Sequence, residues 1–372
     1  MSPTPDIAIP ADLLPSDGRF GCGPSKVRPE AVDALAATED FLGTSHRKDG
    51  VKFVVAGLRN ALCELLVLPD GYEVLLGNGG STLFWDAATF GLIEQKSQHL
   101  SFGEFSSKFA AAASAAPHLG DPHIIERPYG QAGSLVADTS VDAHCLPHNE
   151  TSTGVAITPQ RPEGSDALVL VDATSAAGGL RFDPGQTDAY YFAPQKCLAS
   201  DGGLWLAACS PAAIERIERL SADRWTPAIL DLSIALDNSR KDQTYNTPAL
   251  ATVFLALQQA EWINQNGGLE WAASRSDASA AHIYSWAEAS EVASPYVTDP
   301  AIRSHVVATI DLDDKVDANV VSAVLRKNGV LDTEGYRKLG RNQIRVALFP
   351  AIDPDDILAL TKCVDHVIGQ LS

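Results

Sequence analysis

The stretch YEVLLGNGGSTLFWDAATFGLI, residues 72–93, joins an apolar run of strand length to a segment whose apolar residues recur at helical spacing. A glycine-rich turn at 77–80 separates the two. Further apolar runs of strand length follow as ALVLV (167–171), DAYYFA (188–193) and LWLAAC (204–209). Strands that alternate with helices are typical of α/β layer structures, so we expect a mainly parallel sheet between helices.

A second pattern begins near NQNGGLEW, residues 264–271. Beyond it the sequence predicts a helix, a strand in SHVVATIDL, a helix in VDANVVSAVLRKNG and a strand in QIRVALF. The chain has 372 residues, which favours two domains because single cores stop growing near about 250–300 residues. We predict an N-terminal arm at 1–19, a large domain at 20–265 and a smaller C-terminal α+β domain at 266–372.

The charge balance bears on possible partners. There are 28 Lys and Arg against 47 Asp and Glu, a formal charge of -19, which would repel a phosphodiester backbone. The first twenty residues are Pro-rich and acidic, and no apolar run approaches the roughly 20 residues that a membrane span needs. We therefore expect a soluble cytoplasmic protein that binds neither nucleic acid nor membrane.

Cysteine and histidine patterns give no sign of a metal site. The six cysteines include no C-x-x-C pair, which disfavours both a disulfide framework and a zinc ribbon. The segment HCLPH, residues 144–148, offers only three soft ligands around a proline. We interpret it as a loop with incidental histidines.

Three chemically distinct groups follow predicted strands, where open α/β sheets bind their ligands. The first is GNGGST, whose glycines and helix start suit a phosphate, although an ordinary turn capped by Ser81 or Thr82 explains it equally well. The second is Asp172, either an anion that holds a ring nitrogen protonated or a simple N-cap. The third is Lys196, which taken alone would be a surface lysine with its stem over an apolar patch.

Taken together, these three groups fit pyridoxal 5′-phosphate (PLP). The cofactor has a phosphate for the glycine turn, a pyridine nitrogen for Asp172 and an aldehyde for Lys196. Lysine is the required residue type because a primary amine can condense with the aldehyde and later carry a proton. Phe105 would offer a ring face to the pyridine, or else it is an ordinary core aromatic.

The ordered motifs GCGPSKV, GTSHR, GNGGST, GEFSSKF, HNETSTG, VDATS, APQK, YNTPA and GRNQIRVALF resemble the phosphoserine aminotransferase family. The form is the one seen in actinobacteria, among the class-V aminotransferases of PLP fold type I. The resemblance runs from about Phe20 to the C-terminus. It implies a homodimer that transfers an amino group reversibly between glutamate and 3-phosphohydroxypyruvate in serine biosynthesis.

The resemblance also implies roles for individual residues. Lys196 matches the catalytic lysine, Asp172 the partner of the pyridine nitrogen, and Phe105 the stacking aromatic. Six other residues match family positions that contact the cofactor: Gly80, Ser81, Thr151, Gln195, Asn246 and Thr247. The resemblance implies that Asn246 and Thr247 reach the cofactor of the other subunit, and the alternative is that they only cap the following helix. Arg345 matches the arginine that binds the α-carboxylate of the substrate. His46 and Arg47 match the pair that contacts the substrate phosphate.

One position departs from the family pattern. Many members carry arginine where this chain has Ser81, and their C-terminal His-Arg pair does not align cleanly with GYRKLGRNQ. The missing positive charge could therefore come from any of three residues, Arg337, Lys338 or Arg341.

Other functions stay open from the sequence alone. One is an aminotransferase for small unphosphorylated substrates such as serine, alanine or glyoxylate, and another is a non-catalytic ligand-binding protein. A cysteine desulfurase would need a nucleophilic cysteine on a mobile loop, a requirement that neither Cys197 nor Cys363 fits well. Use of phosphohydroxythreonine, a second substrate of some bacterial relatives, is also undecided.

Overall fold

The computed structural model describes residues 4–371. Within this range the helices are α1 (Pro29–Ala36), α2 (Asp49–Leu65), α3 (Ser81–Gly91), α4 (Glu104–Ala115), α5 (Pro211–Asp223), α6 (Leu232–Ser239), α7 (Leu250–Gln265), α8 (Gly268–Ala289), α9 (Ala318–Lys327) and α10 (Pro354–Leu371). The strands are β1 (Glu73–Asn78), β2 (Ser97–Ser101), β3 (His123–Glu126), β4 (Ala143–Pro147), β5 (Asn149–Glu150), β6 (Val155–Ala156), β7 (Leu168–Asp172), β8 (Ala189–Phe192), β9 (Leu204–Cys209), β10 (Ala293–Pro295), β11 (Val307–Leu312) and β12 (Gln343–Ala347).

The central sheet has the strand order β1-β9-β8-β7-β4-β2-β3. Strand β9 runs antiparallel to both of its neighbours, and every other adjacent pair is parallel. Successive residues of β9 enter two different cores, with Leu206 packing on the side of α2 and α7 and Trp205 on the side of α3 to α6. Helices therefore cover both faces of the sheet, which confirms the predicted α/β class.

A second, antiparallel sheet of order β10-β11-β12 packs with α8, α9 and α10 around its own core. The N-terminal segment joins this core through Phe20, whose N–H donates to Leu331 and whose carbonyl accepts from Ala347. Residues 1–3 of the predicted arm and residue 372 lie outside the described range. The domain boundaries themselves stay a prediction.

The structure corrects the interpretation of HCLPH. Its first four residues lie in β4, a buried strand between β2 and β7, and not in a loop. Pro147 occupies the last position of the strand, where the missing N–H costs at most one ladder hydrogen bond. The adjacent N–H of His148 continues the pairing by donating to the carbonyl of Asp172 at 2.9 Å.

Three further findings concern cysteines, metals and membranes. All six cysteines are free thiols, and only Cys63 is not fully buried. Within residues 4–371, no group of three or more His, Cys, Asp and Glu side chains is arranged to hold a metal ion. In the same range, no helix combines the length and the apolar character needed to cross a bilayer.

Candidate active site

A cavity of about 260 Å³ opens at the carboxyl ends of the parallel strands of the central sheet. Because these ends meet at one edge, residues far apart in sequence line a single space. Seven residues singled out from the sequence contribute to it: Gly80, Ser81, Phe105, Thr151, Asp172, Gln195 and Lys196. The remaining lining residues are Gly23, Thr82, Trp85, Pro147, Asn149 and Thr174.

Lys196 is buried, with 8% of its surface exposed, so its interpretation as a surface lysine is wrong. Its Nζ donates a hydrogen bond of 2.8 Å to the carbonyl of Cys22. A Cβ at Gly23 would come within 2.7 Å of that Nζ, and the φ of +125° at this position also favours glycine. Burial lowers the pKa of Lys196 to about 8, and the charge of Arg345 acts in the same direction.

Asp172 ends β7 and is equally buried. Its Oδ1 accepts hydrogen bonds from the N–H and the hydroxyl of Thr174, at 3.0 and 2.5 Å. Its Oδ2 accepts from the indole Nε1 of Trp85 at 3.0 Å. Burial raises the pKa of Asp172, whereas the hydrogen bonds from Thr174 oppose that shift, as a protonated ring nitrogen in the cavity would.

The glycine turn presents free amides to the cavity. Helix α3 begins at Ser81, and the cap position belongs to Gly80, so neither Ser81 nor Thr82 serves as the N-cap. The first amides of a helix have no partner within it and lie at the positive end of its dipole. A Cβ at Gly80 would meet nothing within 4 Å, which leaves open space in front of the turn.

Two buried polar atoms of the cavity lining lack a hydrogen-bond partner within the described chain. They are Oδ1 of Asn149 and Oε1 of Gln195. The amide nitrogen of Asn149 donates to the hydroxyl of Ser175 at 2.8 Å, and the hydroxyl of Thr151 donates to the same oxygen at 2.8 Å. Unpaired buried polar groups are costly, so these atoms suit a cavity whose ligand carries polar groups.

Arg345 lies on β12 of the small sheet, outside the cavity lining but in contact with the lining residue Thr151. Its Nη1 donates to the carbonyl of Thr151 at 3.2 Å, and its guanidinium lies 5.2 Å from the ring centre of Tyr336. Its Nε is buried without a partner, and it makes no ion pair with any residue in 4–371. The guanidinium is therefore free to bind a carboxylate.

The three candidate cations after Tyr336 differ in their surroundings. Lys338 is paired with Glu104, and Arg341 is paired with Asp311, its Nε lying 3.0 Å from Oδ1. Arg337 is exposed and has no ion pair with a described residue. Of the three, Arg337 alone has a charge that no carboxylate of the described chain neutralises.

The remaining predicted residues lie outside the cavity lining. His46 is buried, and its Nδ1 lies 3.1 Å from the hydroxyl of Thr247. Burial and then the charge of Arg47 lower the pKa of His46. Arg47, Asn246 and Thr247 are exposed. The cap of α7 is Ala249, so the alternative role of Asn246 or Thr247 as an N-cap is wrong.

Neither cysteine considered for a desulfurase is suited to nucleophilic attack. Cys197 is buried beside Lys196, and its thiol lies 3.5 Å from the carbonyl of Ser175. Burial raises the pKa of Cys197 far above its usual range. Cys363 lies within α10, where burial raises its pKa to about 11. Thiolates are the nucleophilic form, so both side chains are inert.

Some lining residues were not predicted although the sequence carries a signal for them. Trp85 follows Ser81 by four residues, which places both on the same face of α3. Thr174 follows Asp172 by two residues, the spacing at which a carboxylate binds the backbone of its own turn. Asn149 belongs to the motif HNETSTG, from which Thr151 was predicted, whereas Gly23 belongs to GCGPSKV, from which no site residue was predicted.

Comparisons with known proteins agree with this geometry. The model of the class-V aminotransferase family matches residues 136–340. The chain is 59% identical over 374 aligned positions to a phosphoserine aminotransferase from Rhodococcus jostii, with 100% of both chains covered. Its fold is similar to a phosphoserine aminotransferase from Cytophaga hutchinsonii, with a TM-score of 0.87, 27% identity and coverage of 94% of this chain and 98% of that one. A PLP-bound phosphoserine aminotransferase from Trichomonas vaginalis has the same fold, with a TM-score of 0.80, 19% identity and coverage of 94% and 99%.

Fold, cavity and family match define a PLP-dependent class-V aminotransferase of fold type I. The cavity fits this cofactor, since it combines a buried lysine, a buried carboxylate and free helix amides. Within that class, the chain belongs to the phosphoserine aminotransferase family.

Proposed function

We propose that the protein transfers an amino group reversibly between L-glutamate and 3-phosphohydroxypyruvate, giving O-phospho-L-serine and 2-oxoglutarate. The reaction would serve serine biosynthesis in the cytoplasm. The observation that carries this proposal is the buried Lys196 in the cavity, together with Arg345, which contacts the lining residue Thr151 and forms no ion pair with a described residue. The name of the Rhodococcus jostii relative supports phosphoserine as a substrate.

In this proposal, different residues of the cavity bind different parts of the cofactor. The amides of Gly80 and Ser81 and the side chain of Gln195 would hold the phosphate, and Asp172 would hold the ring nitrogen. Phe105 covers one face of the ring, and Thr151 lies beside it. When bound, PLP supplies an aldehyde that exchanges amines and a ring that withdraws electrons.

Lys196 would act as the base and acid of the reaction. Its Nζ would take a proton from the α-carbon of the amino donor, and in the second half-reaction it would deliver a proton to the α-carbon of the keto acceptor. A pKa of about 8 suits this work because a catalytic group is most effective when its pKa lies near the working pH. The carbonyl of Cys22 holds the free amine in the cavity between these steps.

Substrate selection would depend on cations, because both substrates carry two anionic groups and the chain has a formal charge of -19. Arg345 would bind the α-carboxylate of either substrate through its planar guanidinium. His46, Arg47 and Arg337 would hold the distal anion. We favour Arg337 over Lys338 and Arg341 because those two are already paired with Glu104 and Asp311.

Substitution of these arginines distinguishes the two anion sites. Arg345→Ala should lower kcat/KM for phosphoserine and glutamate alike, by about ten- to a hundredfold for the loss of one charge-assisted contact. Arg47→Ala and Arg337→Ala should penalise phosphoserine more than glutamate, because a dianionic phosphate depends more on each cation. Steady-state kinetics in both directions measures the effects. Arg219→Ala, at a surface ion pair on α5, is the control expected to change neither value.

Equal penalties for phosphoserine and glutamate in Arg47→Ala and Arg337→Ala would place the phosphate elsewhere. The proposed choice of substrate would then lose its structural basis, although the cofactor site would be untouched.

We further propose that the protein is a homodimer with shared active sites. Asn246 and Thr247 are exposed, and neither contributes to the cavity of its own subunit among the described residues. Phe53, an apolar side chain on α2 that is 79% exposed, and the partly exposed Leu42 would be covered by a second copy. In the dimer, Asn246 and Thr247 would reach the cofactor phosphate of the partner subunit.

Complementation between two inactive variants tests the shared site. Mixing Lys196→Ala protein with the double variant Asn246→Ala, Thr247→Ala should restore about a quarter of the sites, given free exchange and statistical pairing. Each mixed dimer then has one site with an intact lysine and intact donated residues. Activity after subunit exchange is the measurement, and mass spectrometry verifies the mixed dimers. Absence of recovery in verified mixed dimers would mean that each subunit builds its own site.

A further inference from the structure

Glu150 is a carboxylate with no access to solvent, at the end of the short strand β5. It stands between Asn149 and Thr151, which both line the cofactor cavity, but it does not line the cavity itself. No cation in residues 4–371 is paired with it. A buried and unpaired carboxylate is costly, and burial raises the pKa of Glu150 accordingly.

Hydrogen bonds from two neighbouring segments satisfy this carboxylate. Its Oε2 accepts from the N–H and the hydroxyl of Ser106, both at 2.9 Å. Its Oε1 accepts from the hydroxyl of Ser152 at 2.7 Å and from the N–H groups of Ser152 and Phe105, both at 3.3 Å. Two of the five donors are therefore backbone amides in the first turn of α4.

The start of α4 approaches Glu150 unusually closely. A Cβ at Gly103 would lie 2.2 Å from Cγ of Glu150, so glycine is required at the cap position of the helix. The N–H of Glu104 donates to the hydroxyl of Ser152 at 3.1 Å, which adds a second link between helix and loop. The helix start thus has little freedom to shift relative to β5.

This arrangement fixes one lining residue against two others. The backbone N–H of Phe105 donates to Glu150, and Phe105 is one of the residues that line the cavity. Thr151, the residue after Glu150, lines the same cavity, and its carbonyl accepts a hydrogen bond from Arg345. Displacement of the carboxylate would therefore change the position of the ring relative to Thr151.

We propose that Glu150 is a positioning residue of the cofactor site, whose carboxylate holds the first turn of α4 so that the ring of Phe105 covers the bound cofactor. The inference rests on the proposed contact between Phe105 and PLP. Glu150 touches neither cofactor nor substrate, and its effect is transmitted through Phe105.

A double-mutant cycle tests this transmission. Glu150→Gln keeps the shape but replaces an acceptor oxygen by a donor that faces other donors, and it should weaken PLP binding about tenfold or more. In a Phe105→Leu background, Glu150→Gln should raise the dissociation constant for PLP by less than about twofold. The effects of two residues that act through one contact are not additive. The readouts are the equilibrium dissociation constant for PLP and the visible circular dichroism of the bound cofactor.

The matched control is Asp188→Asn. Asp188 is a buried carboxylate that accepts from Arg161 at 2.6 Å, the N–H of Val169 at 2.8 Å and Ser210 at 2.8 Å, at the end of β8 away from the cavity. Its substitution should lower the melting temperature and leave PLP binding unchanged.

Two results would overturn the proposal. One is a Glu150→Gln protein that loses thermal stability like the control yet binds PLP as tightly as the parent, and the other is full additivity with Phe105→Leu. Failure of the parent protein itself to bind PLP would refute the cofactor site as well. Should Glu150→Gln not fold, Ser152→Ala removes the 2.7 Å hydrogen bond to Glu150 together with the 3.1 Å hydrogen bond from the N–H of Glu104, and it should give the same non-additive pattern at smaller size.

Discussion

Lys196→Ala protein should lose amino transfer by at least about a thousandfold, because the nucleophile and the proton carrier are the same amine. The variant should still bind PLP, since the amides of the α3 start and the side chain of Asp172 are unchanged. Turnover with glutamate and the visible spectrum of the bound cofactor measure the two effects. Lys362→Ala, an exposed lysine on α10, is the control expected to retain full turnover.

Borohydride reduction followed by peptide mapping identifies the lysine directly. Reduction should fix the pyridoxyl group to the peptide that contains Lys196. A pyridoxyl group on another lysine, or near-normal turnover of Lys196→Ala, would refute the assignment.

Asp172→Asn should reduce turnover by between about tenfold and a thousandfold, because an opposite charge at short range shifts a pKa by about 1–3 units. The loss of turnover would come from the missing negative charge, since the side-chain oxygen of asparagine can still accept a hydrogen bond from Thr174. The substituted nitrogen would face the indole N–H of Trp85, which costs about 1 kcal/mol of stability for one lost hydrogen bond. Steady-state kinetics and thermal unfolding separate the two effects.

Nearly normal turnover of an Asp172→Asn protein with a slightly lower melting temperature would show that Asp172 stabilises the local turn with Thr174 and has no role at the cofactor ring. A large loss of turnover in a stable protein is the expected result. Trp85→Phe is a useful companion, because it removes the same hydrogen bond without changing the charge of Asp172.

The parallel sheet could be predicted because its strands are buried on both faces and appear as continuous apolar runs. The run LWLAAC matches β9 at both ends. The run SHVVATIDL becomes a strand only from Val307, because the hydroxyl of Ser304 accepts from the N–H groups of Val306 and Val307 and forms a turn there. Side-chain hydrogen bonds of this kind compete with the ladder and are hard to foresee from a pattern.

The site was predictable where residues that follow strands together fit one cofactor, even though each has another interpretation when taken alone. Lys196 and Asp172 are of this kind, and the structure brings both into one cavity. The pairing of Lys338 with Glu104 was not predictable, because it depends on how the segment before β12 packs against α4. The pairing of Arg341 with Asp311 depends in the same way on the register of β11 and β12. The contacts of Glu150 depend on tertiary packing in the same way.

The central claim is that this cavity uses phosphoserine as an amino donor. The most direct measurement is a single half-reaction, in which O-phospho-L-serine is added to the PLP-loaded protein without any keto acid and the visible absorbance is followed. We expect rapid loss of the visible band with phosphoserine and with glutamate, and slow loss at equal concentrations of L-serine or L-alanine. Faster loss with L-serine or L-alanine than with phosphoserine, or an unchanged spectrum with phosphoserine, would contradict it.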